Sequence, residues 1–223
     1  MAIPKYDELY PDFLTALISG APRAVSEIRN EIALRRHLTA EELRLPLVGL
    51  YQSRNAAVAI TAVEVLRQKG WNISDEALRQ GLSAVRWPGR LEVLRQADPV
   101  ILRDGAHNAH GMAATTESLK ALFPGKKLVI LMGVLADKDV EDMLELLSPI
   151  AEAVVTVRPD SPRAMGAEEL AAQVRRRGIP ACACESVEEG MRIAAMAAGQ
   201  GGAVCALGSL YLAADVRRAA EAL

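Results

Sequence analysis

From Pro99 onward the chain alternates short, almost unbroken apolar runs with longer amphipathic segments, a pattern that predicts successive βα units around a parallel sheet. Strands are predicted at Val100 to Arg103, Lys127 to Met132, Ala153 to Val157, Ala181 to Ala183 and Ala203 to Leu207. Helices are predicted between and after them, at Gly111 to Leu122, Val140 to Leu147, Ala167 to Arg177, Val187 to Ala198 and Leu210 to Ala220. A run such as Leu128-Val-Ile-Leu-Met132 has no polar side, so helices are expected on both faces of the sheet.

Upstream of Pro99 the pattern is helical. Gln52 to Gln68 reads as an alanine-rich helix, and Ser74 with Ala77 to Leu82 as a second one. Ser74 is a natural N-cap there, and Asp75 and Glu76 complement the positive end of the helix. Gly70-Trp-Asn-Ile73 joins the two, Trp87-Pro-Gly89 is a hard stop, and Arg90 to Arg95 reads as an additional strand. Further helices are expected around Tyr6 to Ile18 and Pro22 to Ile32. The expected fold class is α/β, with a Rossmann-like, mostly parallel sheet over residues 89–223 preceded by a helical segment over residues 1–88.

Open parallel sheets bind ligands at the carboxyl ends of their strands, where loops meet helix N-termini. The loops at that edge read Asp104-Gly-Ala-His-Asn-Ala-His-Gly111, Gly133-Val-Leu-Ala-Asp-Lys-Asp139, Arg158-Pro-Asp-Ser-Pro-Arg163 and Gly208-Ser209. All are polar where the strands before them are not.

Composition narrows the classes of partner. The 223 residues carry 26 basic and 28 acidic side chains, a net charge of −2, and 51% of them are apolar, as in a soluble globular protein. Charge this evenly mixed offers no electrostatic footprint for nucleic acid or a membrane surface. The longest apolar stretches, such as Leu128 to Ala136, fall well short of the roughly 20 residues that span a bilayer. Lys5, Asp7, Glu8 and Asp12 interrupt any signal-peptide core, so a cytoplasmic location is expected. Cys182, Cys184 and Cys205 have no metal-ligand spacing and read as small buried hydrophobes.

Some segments carry candidate chemistry. Asp104, followed by Gly105, His107 and Asn108, places a carboxylate at a strand end with imidazole and amide groups before a helix start, an arrangement suited to a ribose or phosphate. Asp104 and Asn108 read equally well as helix caps. Arg90 follows a rigid turn, and a guanidinium grips phosphate in bidentate fashion; an Arg90–Glu92 surface pair is the alternative. Asn55 opens the alanine-rich helix and by itself reads as a cap.

Taken in order, Leu45-Pro-Leu-Val-Gly-Leu-Tyr-Gln-Ser-Arg-Asn-Ala-Ala57, Trp87-Pro-Gly-Arg-Leu-Glu92, Asp104-Gly-Ala-His-Asn108, Gly133-Val-Leu-Ala-Asp-Lys-Asp139, Ser161-Pro-Arg-Ala164 and Gly208-Ser-Leu-Tyr-Leu212 resemble the carboxyl-terminal half of the folylpolyglutamate synthase/dihydrofolate synthase family of Mur-type ligases. The resemblance runs from about Leu45 to Arg217. It implies ATP-dependent, ADP-forming addition of glutamate to a folate carboxylate through an acyl phosphate. It further implies that Asn55 contacts adenine, Arg90 the phosphates and Asp104 the ribose, with His107 on the same loop. Lys138 and Ser209 become candidates for holding glutamate, although Lys138 reads equally as a solvated partner of Asp137 and Asp139.

The implied partners are folate, glutamate and ATP with magnesium. The family's P-loop and its metal-binding Glu and His belong to a preceding ATPase domain, and no G-x-x-x-x-G-K-[ST] occurs in this sequence. The helical segment is accordingly expected to be a remnant of that domain, no metal ligand is expected here, and the chain alone is expected to lack ligase activity. A non-catalytic nucleotide- or amino-acid-binding module that docks a partner is the competing expectation.

Overall fold

The computed structural model describes residues 43–126 and 128–223. The helices expected around Tyr6 to Ile18 and Pro22 to Ile32, and Lys127, lie outside the described residues. Internal contacts divide the chain into two compact units, Met1–Trp87 and Pro88–Leu223.

In the first unit, helix α1 spans Leu50–Gln68 and α2 spans Asp75–Ala84. Ser74 caps α2 as predicted, its hydroxyl accepting from the Ala77 amide at 3.0 Å. Leu78 and Leu82, one turn apart, are buried. Arg67 ties the hairpin together: Nε donates to the Ile73 carbonyl at 2.7 Å and Nη1 lies 2.9 Å from the Asp75 carboxylate. In α1, by contrast, Gln52 is the buried residue, at 2% exposure, and its Oε1 accepts from Asn55 Nδ2 at 3.0 Å.

The second unit is built on a six-stranded sheet. Strands β1 Glu92–Arg95, β2 Val100–Arg103, β3 Leu128–Met132, β4 Ala151–Thr156, β5 Ala181–Ala183 and β6 Ala203–Leu207 are arranged in the order β1-β2-β6-β3-β4-β5. β1 pairs antiparallel with β2, and every other pairing is parallel. Helices α3 Ala109–Leu122, α4 Val140–Leu147 and α5 Ala167–Arg176 follow β2, β3 and β4. Helix α6 Val187–Ala198 carries the chain from β5 back to β6, and α7 Ala213–Glu221 ends the unit.

Connections across one sheet in opposite directions lie on opposite faces, because each parallel crossover is right-handed. The chain steps one way through α3, α4 and α5 and returns through α6, so the sheet is covered twice. The core shows this in the alternation of its strands. Ile101, Val129, Leu131, Val155, Val204 and Ala206 pack with Met191 and Ala194 of α6 and with Val216 and Ala219 of α7. Leu102, Leu128, Ile130, Met132, Val154 and Cys205, on the intervening positions, are buried too. Burying a side chain such as Met191, which is wholly inaccessible, contributes about 1.5–3 kcal/mol.

Element boundaries differ from the sequence pattern at informative places. The expected helix Leu210 to Ala220 is a single 3₁₀ turn, Leu210–Leu212, followed by α7, because the Ser209 hydroxyl accepts from the Tyr211 amide at 3.2 Å and tightens the entry. The strand expected from Arg90 starts at Glu92, since Leu91 adopts a left-handed φ of 43° that no strand tolerates.

Candidate functional site

The return path of the chain fixes the site. β6 lies between β2 and β3, so the loop after β6 leaves toward one face while the loops after β2 and β3 leave toward the other. A crevice opens where such directions part, and in open sheets it is the ligand position. Three hydrogen bonds lace the rim: Asp104 N to Ala206 O at 2.9 Å, Gly208 N to Ala106 O at 2.8 Å, and Gly133 N to Leu207 O at 3.4 Å. Gly208 takes φ 102°, and a Cβ there would lie 2.6 Å from the Gly133 carbonyl oxygen, so only glycine lets these loops meet.

Arg90 is carried to this rim by a turn held at three points. The Gly89 amide donates to Glu92 Oε2 at 2.9 Å, the Gly89 carbonyl accepts from the Gly105 amide at 2.7 Å, and the Leu91 amide donates to Asp104 Oδ2 at 2.7 Å. Leu91 is wholly buried while Arg90 keeps partial access to solvent. The Arg90 guanidinium rests over Gly105: a Cβ on Gly105 would stand 3.1 Å from Arg90 Nη1 and 2.7 Å from Leu210 Cδ2. The surface pair with Glu92 is not formed. Glu92 bonds instead to Arg103 Nη2 at 3.4 Å and Arg217 Nη2 at 2.5 Å.

Asp104 is 4% exposed. Besides Leu91, its carboxylate accepts from the Ala106 amide and the Thr115 hydroxyl, each at 2.8 Å. The carboxylate thus joins strand β2, helix α3 and the turn of Arg90. Asn108, not Asp104, caps α3, its Oδ1 accepting from the Gly111 amide at 2.8 Å. His107 Nδ1 lies 2.8 Å from the Gly105 carbonyl oxygen. A carbonyl only accepts, so Nδ1 carries the proton and Nε2 is the ring nitrogen left for a ligand.

Ser209 is 7% exposed, and with Asp104, Gly105 and Leu210 it lines a small cavity behind the rim. Lys138 stands on the loop after β3, with Nζ 3.8 Å from Asp137 Oδ2. Asp139 instead caps α4, accepting from the Asp142 amide at 3.3 Å. Arg163 Nη1 also reaches Asp137, at 3.3 Å, and the Ala136 amide donates to the Arg163 carbonyl at 2.8 Å. Lys138 and Arg163 therefore share one carboxylate on adjoining loops. Asn55 belongs to the first unit, where it is exposed in the second turn of α1; it does not cap that helix, whose N-cap is Gly49, and it donates to Gln52 instead.

The structure thus brings Arg90, Asp104, His107 and Ser209 onto one laced rim, with Lys138 on the loop beside it. Arg103 and Thr115 are additions that no local motif signals, and Glu92 and Arg163, though inside quoted motifs, acquire partners that only the fold reveals. Among the described residues no group of three or more His, Cys, Asp or Glu side chains could hold a metal ion. Among them too, no helix is long and apolar enough to cross a membrane.

The family described as Mur ligase, glutamate ligase domain, matches residues 89–210. The chain is 35% identical over 181 residues to the dihydrofolate synthase/folylpolyglutamate synthase of Bacillus subtilis, an alignment covering 80% of the chain and 41% of that protein. Among solved structures, a Mycobacterium tuberculosis folylpolyglutamate synthase complexed with ADP and AMPPCP superposes with a TM-score of 0.71 at 33% identity, covering 80% of this chain and 42% of that one. A Yersinia pestis bifunctional folylpolyglutamate synthase/dihydrofolate synthase complexed with AMPPNP and a Mn ion gives 0.66 at 30% identity, over 80% and 41%. The chain spans about two fifths of the length of these relatives. With the rim at the carboxyl edge of an α/β sheet and the whole of residues 89–210 matched, the chain belongs to the Mur ligase family, in its folylpolyglutamate/dihydrofolate synthase branch, and carries the glutamate ligase domain.

Proposed function

We propose that this chain is the glutamate-binding part of an ATP-dependent, ADP-forming amide ligase that adds glutamate to a folate carboxylate. The observation that carries the reading is the placement of Arg90, clamped over Gly105 on the same rim as His107 and Ser209, within a domain matched as a glutamate ligase. In this reading the Arg90 guanidinium stabilises charge on the transferred phosphoryl group. His107 presents Nε2 to the reacting groups, Lys138 and Ser209 hold glutamate, and Asn55 pairs with adenine. Asp104 reaches the ribose from the same rim.

Phosphoryl transfer also needs magnesium and a phosphate-cradling loop, and no G-x-x-x-x-G-K-[ST] occurs in this sequence. We therefore assign net ligation to this chain acting with a P-loop ATPase domain, in the cytoplasm, and none to the 223 residues alone. The test is calorimetric titration of the chain with ADP and, separately, with glutamate, for the wild type, Arg90→Ala and Lys138→Ala. ADP binding lost in the first variant and glutamate binding lost in the second support the assignment. Binding of either ligand unchanged in its variant overturns that residue's role. Folate- and glutamate-dependent ADP release by the purified chain, abolished by Arg90→Ala, would overturn the need for a further domain.

A further inference from the structure

We propose that Glu92 is the positioning residue that aims Arg90 at nucleotide phosphate, a role that rests on the nucleotide reading of Arg90 given above. Glu92 does not face Arg90. It reaches back along the strand so that Oε2 accepts from the Gly89 amide at 2.9 Å and faces Arg103 Nη2 at 3.4 Å, while Oε1 accepts from Arg217 Nη2 at 2.5 Å. Its side chain is 11% exposed and that of Arg103 is 10% exposed, so this ion pair lies largely out of water, while the charge-assisted hydrogen bond from the partly exposed Arg217 is stronger than a neutral one. Arg103 is anchored in turn, Nη1 donating to the Ala213 carbonyl at 2.5 Å at the start of α7. The carboxylate is therefore locked between two guanidiniums that come from β2 and α7, and it passes that fixity to Gly89.

On that side the turn has one other backbone restraint, the Gly105 amide donating to the Gly89 carbonyl at 2.7 Å. Gly89 sits at φ 76°, and Arg103 Nη2 is so near that a Cβ at Gly89 would stand 2.7 Å from it. On the far side Asp104 holds Leu91. Glu92 and Asp104 thus grip the amides on either side of Arg90, and without Glu92 the Gly89 end of the turn keeps only the bond from the Gly105 amide to the Gly89 carbonyl, at 2.7 Å. Glutamine at position 92 keeps the volume but turns an NH₂ toward donors and removes the charge shared by Arg103 and Arg217. The Gly89 end is then held through its carbonyl alone, and Arg90 loosens in its seat over Gly105.

The experiment uses the 223-residue chain with ADP as the probe, measured by calorimetry for the wild type, Glu92→Gln, Arg90→Ala and the double variant. Nitrogen-15 relaxation of the Arg90 side-chain Nε–H is recorded on the same wild-type and Glu92→Gln samples. Glu92→Gln is expected to weaken ADP about tenfold, as for loss of one well-placed charge-assisted contact, and to add nothing once Arg90 is alanine. It is also expected to mobilise the Arg90 Nε–H. Arg217→Met, which removes one arm of the clamp at a partly exposed side chain, guards against a folding defect and is expected to move both readouts in the same direction but less far. An Arg90 signal as ordered in Glu92→Gln as in the wild type overturns the role of Glu92, as does equal weakening of ADP in both Arg90 backgrounds. If the wild type binds no ADP while Glu92→Gln still mobilises Arg90, the nucleotide reading fails and the clamp stands.

Discussion

The Asp104 carboxylate holds the amide of Leu91, Oδ2 to N at 2.7 Å, and so closes the loop after β2 onto the turn that carries Arg90. That bond helps to hold Leu91 in a left-handed conformation, which costs a branched residue about 1–2 kcal/mol. Removing the carboxylate strands three donors at once, the amides of Leu91 and Ala106 and the Thr115 hydroxyl. A buried orphaned donor costs about 1–3 kcal/mol, so Asp104→Ala is expected to lower stability by about 3 kcal/mol or more. Asp104→Asn keeps one acceptor oxygen and is expected to cost about half as much. Denaturant midpoints for the two variants check the order, and equal midpoints would show that the carboxylate is not the keystone of the turn.

Gly105→Ala and Gly208→Ala separate ligand geometry from stability. At Gly105 the added methyl meets the side-chain tips of Leu210 and Arg90, which can move aside, and stands 3.2 Å from the Gly89 carbonyl oxygen, a contact relieved by a shift of a few tenths of an ångström. Its expected effect is displacement of Arg90, with ADP affinity lowered about tenfold and stability changed by less than about 1 kcal/mol. At Gly208 the methyl meets backbone, 2.6 Å from the Gly133 carbonyl oxygen at φ 102°, and nothing can give way cheaply. There the expected loss is about 2 kcal/mol or more in stability. Thermal melting paired with ADP titration distinguishes the two, and the opposite pattern would contradict the rim geometry.

The order of strands and helices was legible because each strand of the parallel sheet is apolar on both faces and each helix is amphipathic. Val100 to Arg103, Val140 to Leu147, Val187 to Ala198 and Ala203 to Leu207 coincide with elements of the structure. The loops of the rim were legible too, because polarity switches on abruptly after Arg103, Met132 and Leu207. What holds Arg90 was not legible. Thr115 lies 11 positions from Asp104, and Arg217 lies 125 positions from Glu92, spacings that carry no local periodicity. Reading Glu92 as a partner of Arg90 failed for the same reason: neighbours in sequence point apart when the residue between them, Leu91, turns into the core.

Burial, with Cys182 nearby, pushes the Cys184 thiol up to about 11, and complete burial raises Cys205 well above the ordinary thiol range. In the unfolded chain these thiols ionise near 9.0, while the folded protein keeps them neutral. Their contribution to stability is therefore complete below pH 9 and is lost progressively as pH rises toward about 11. Melting temperature is expected to fall over that interval, and Cys184→Ala to flatten the fall. At pH 8 iodoacetamide is expected to modify the exposed Cys182 alone, with Cys205 reacting only on unfolding. Mass spectrometry reads both, and rapid native modification of Cys205 would contradict its burial.

Asp137 lies between Lys138 and Arg163, 3.8 Å from one and 3.3 Å from the other, with Asp137 and Arg163 exposed and Lys138 partly so. Exposed ion pairs contribute about 0–1 kcal/mol, so the cluster does little for the fold. It matters if Lys138 receives a glutamate carboxylate, because Asp137 then competes with the ligand for the same cations. Asp137→Asn is accordingly expected to leave the melting temperature unchanged and to tighten glutamate severalfold at low ionic strength, an advantage that shrinks as salt screens exposed charges. Lys138→Ala is expected to weaken glutamate and to cancel the gain in the double variant. Calorimetry in low and high salt provides the comparison. A gain from Asp137→Asn that persists without Lys138 would transfer the carboxylate-binding role to Arg163.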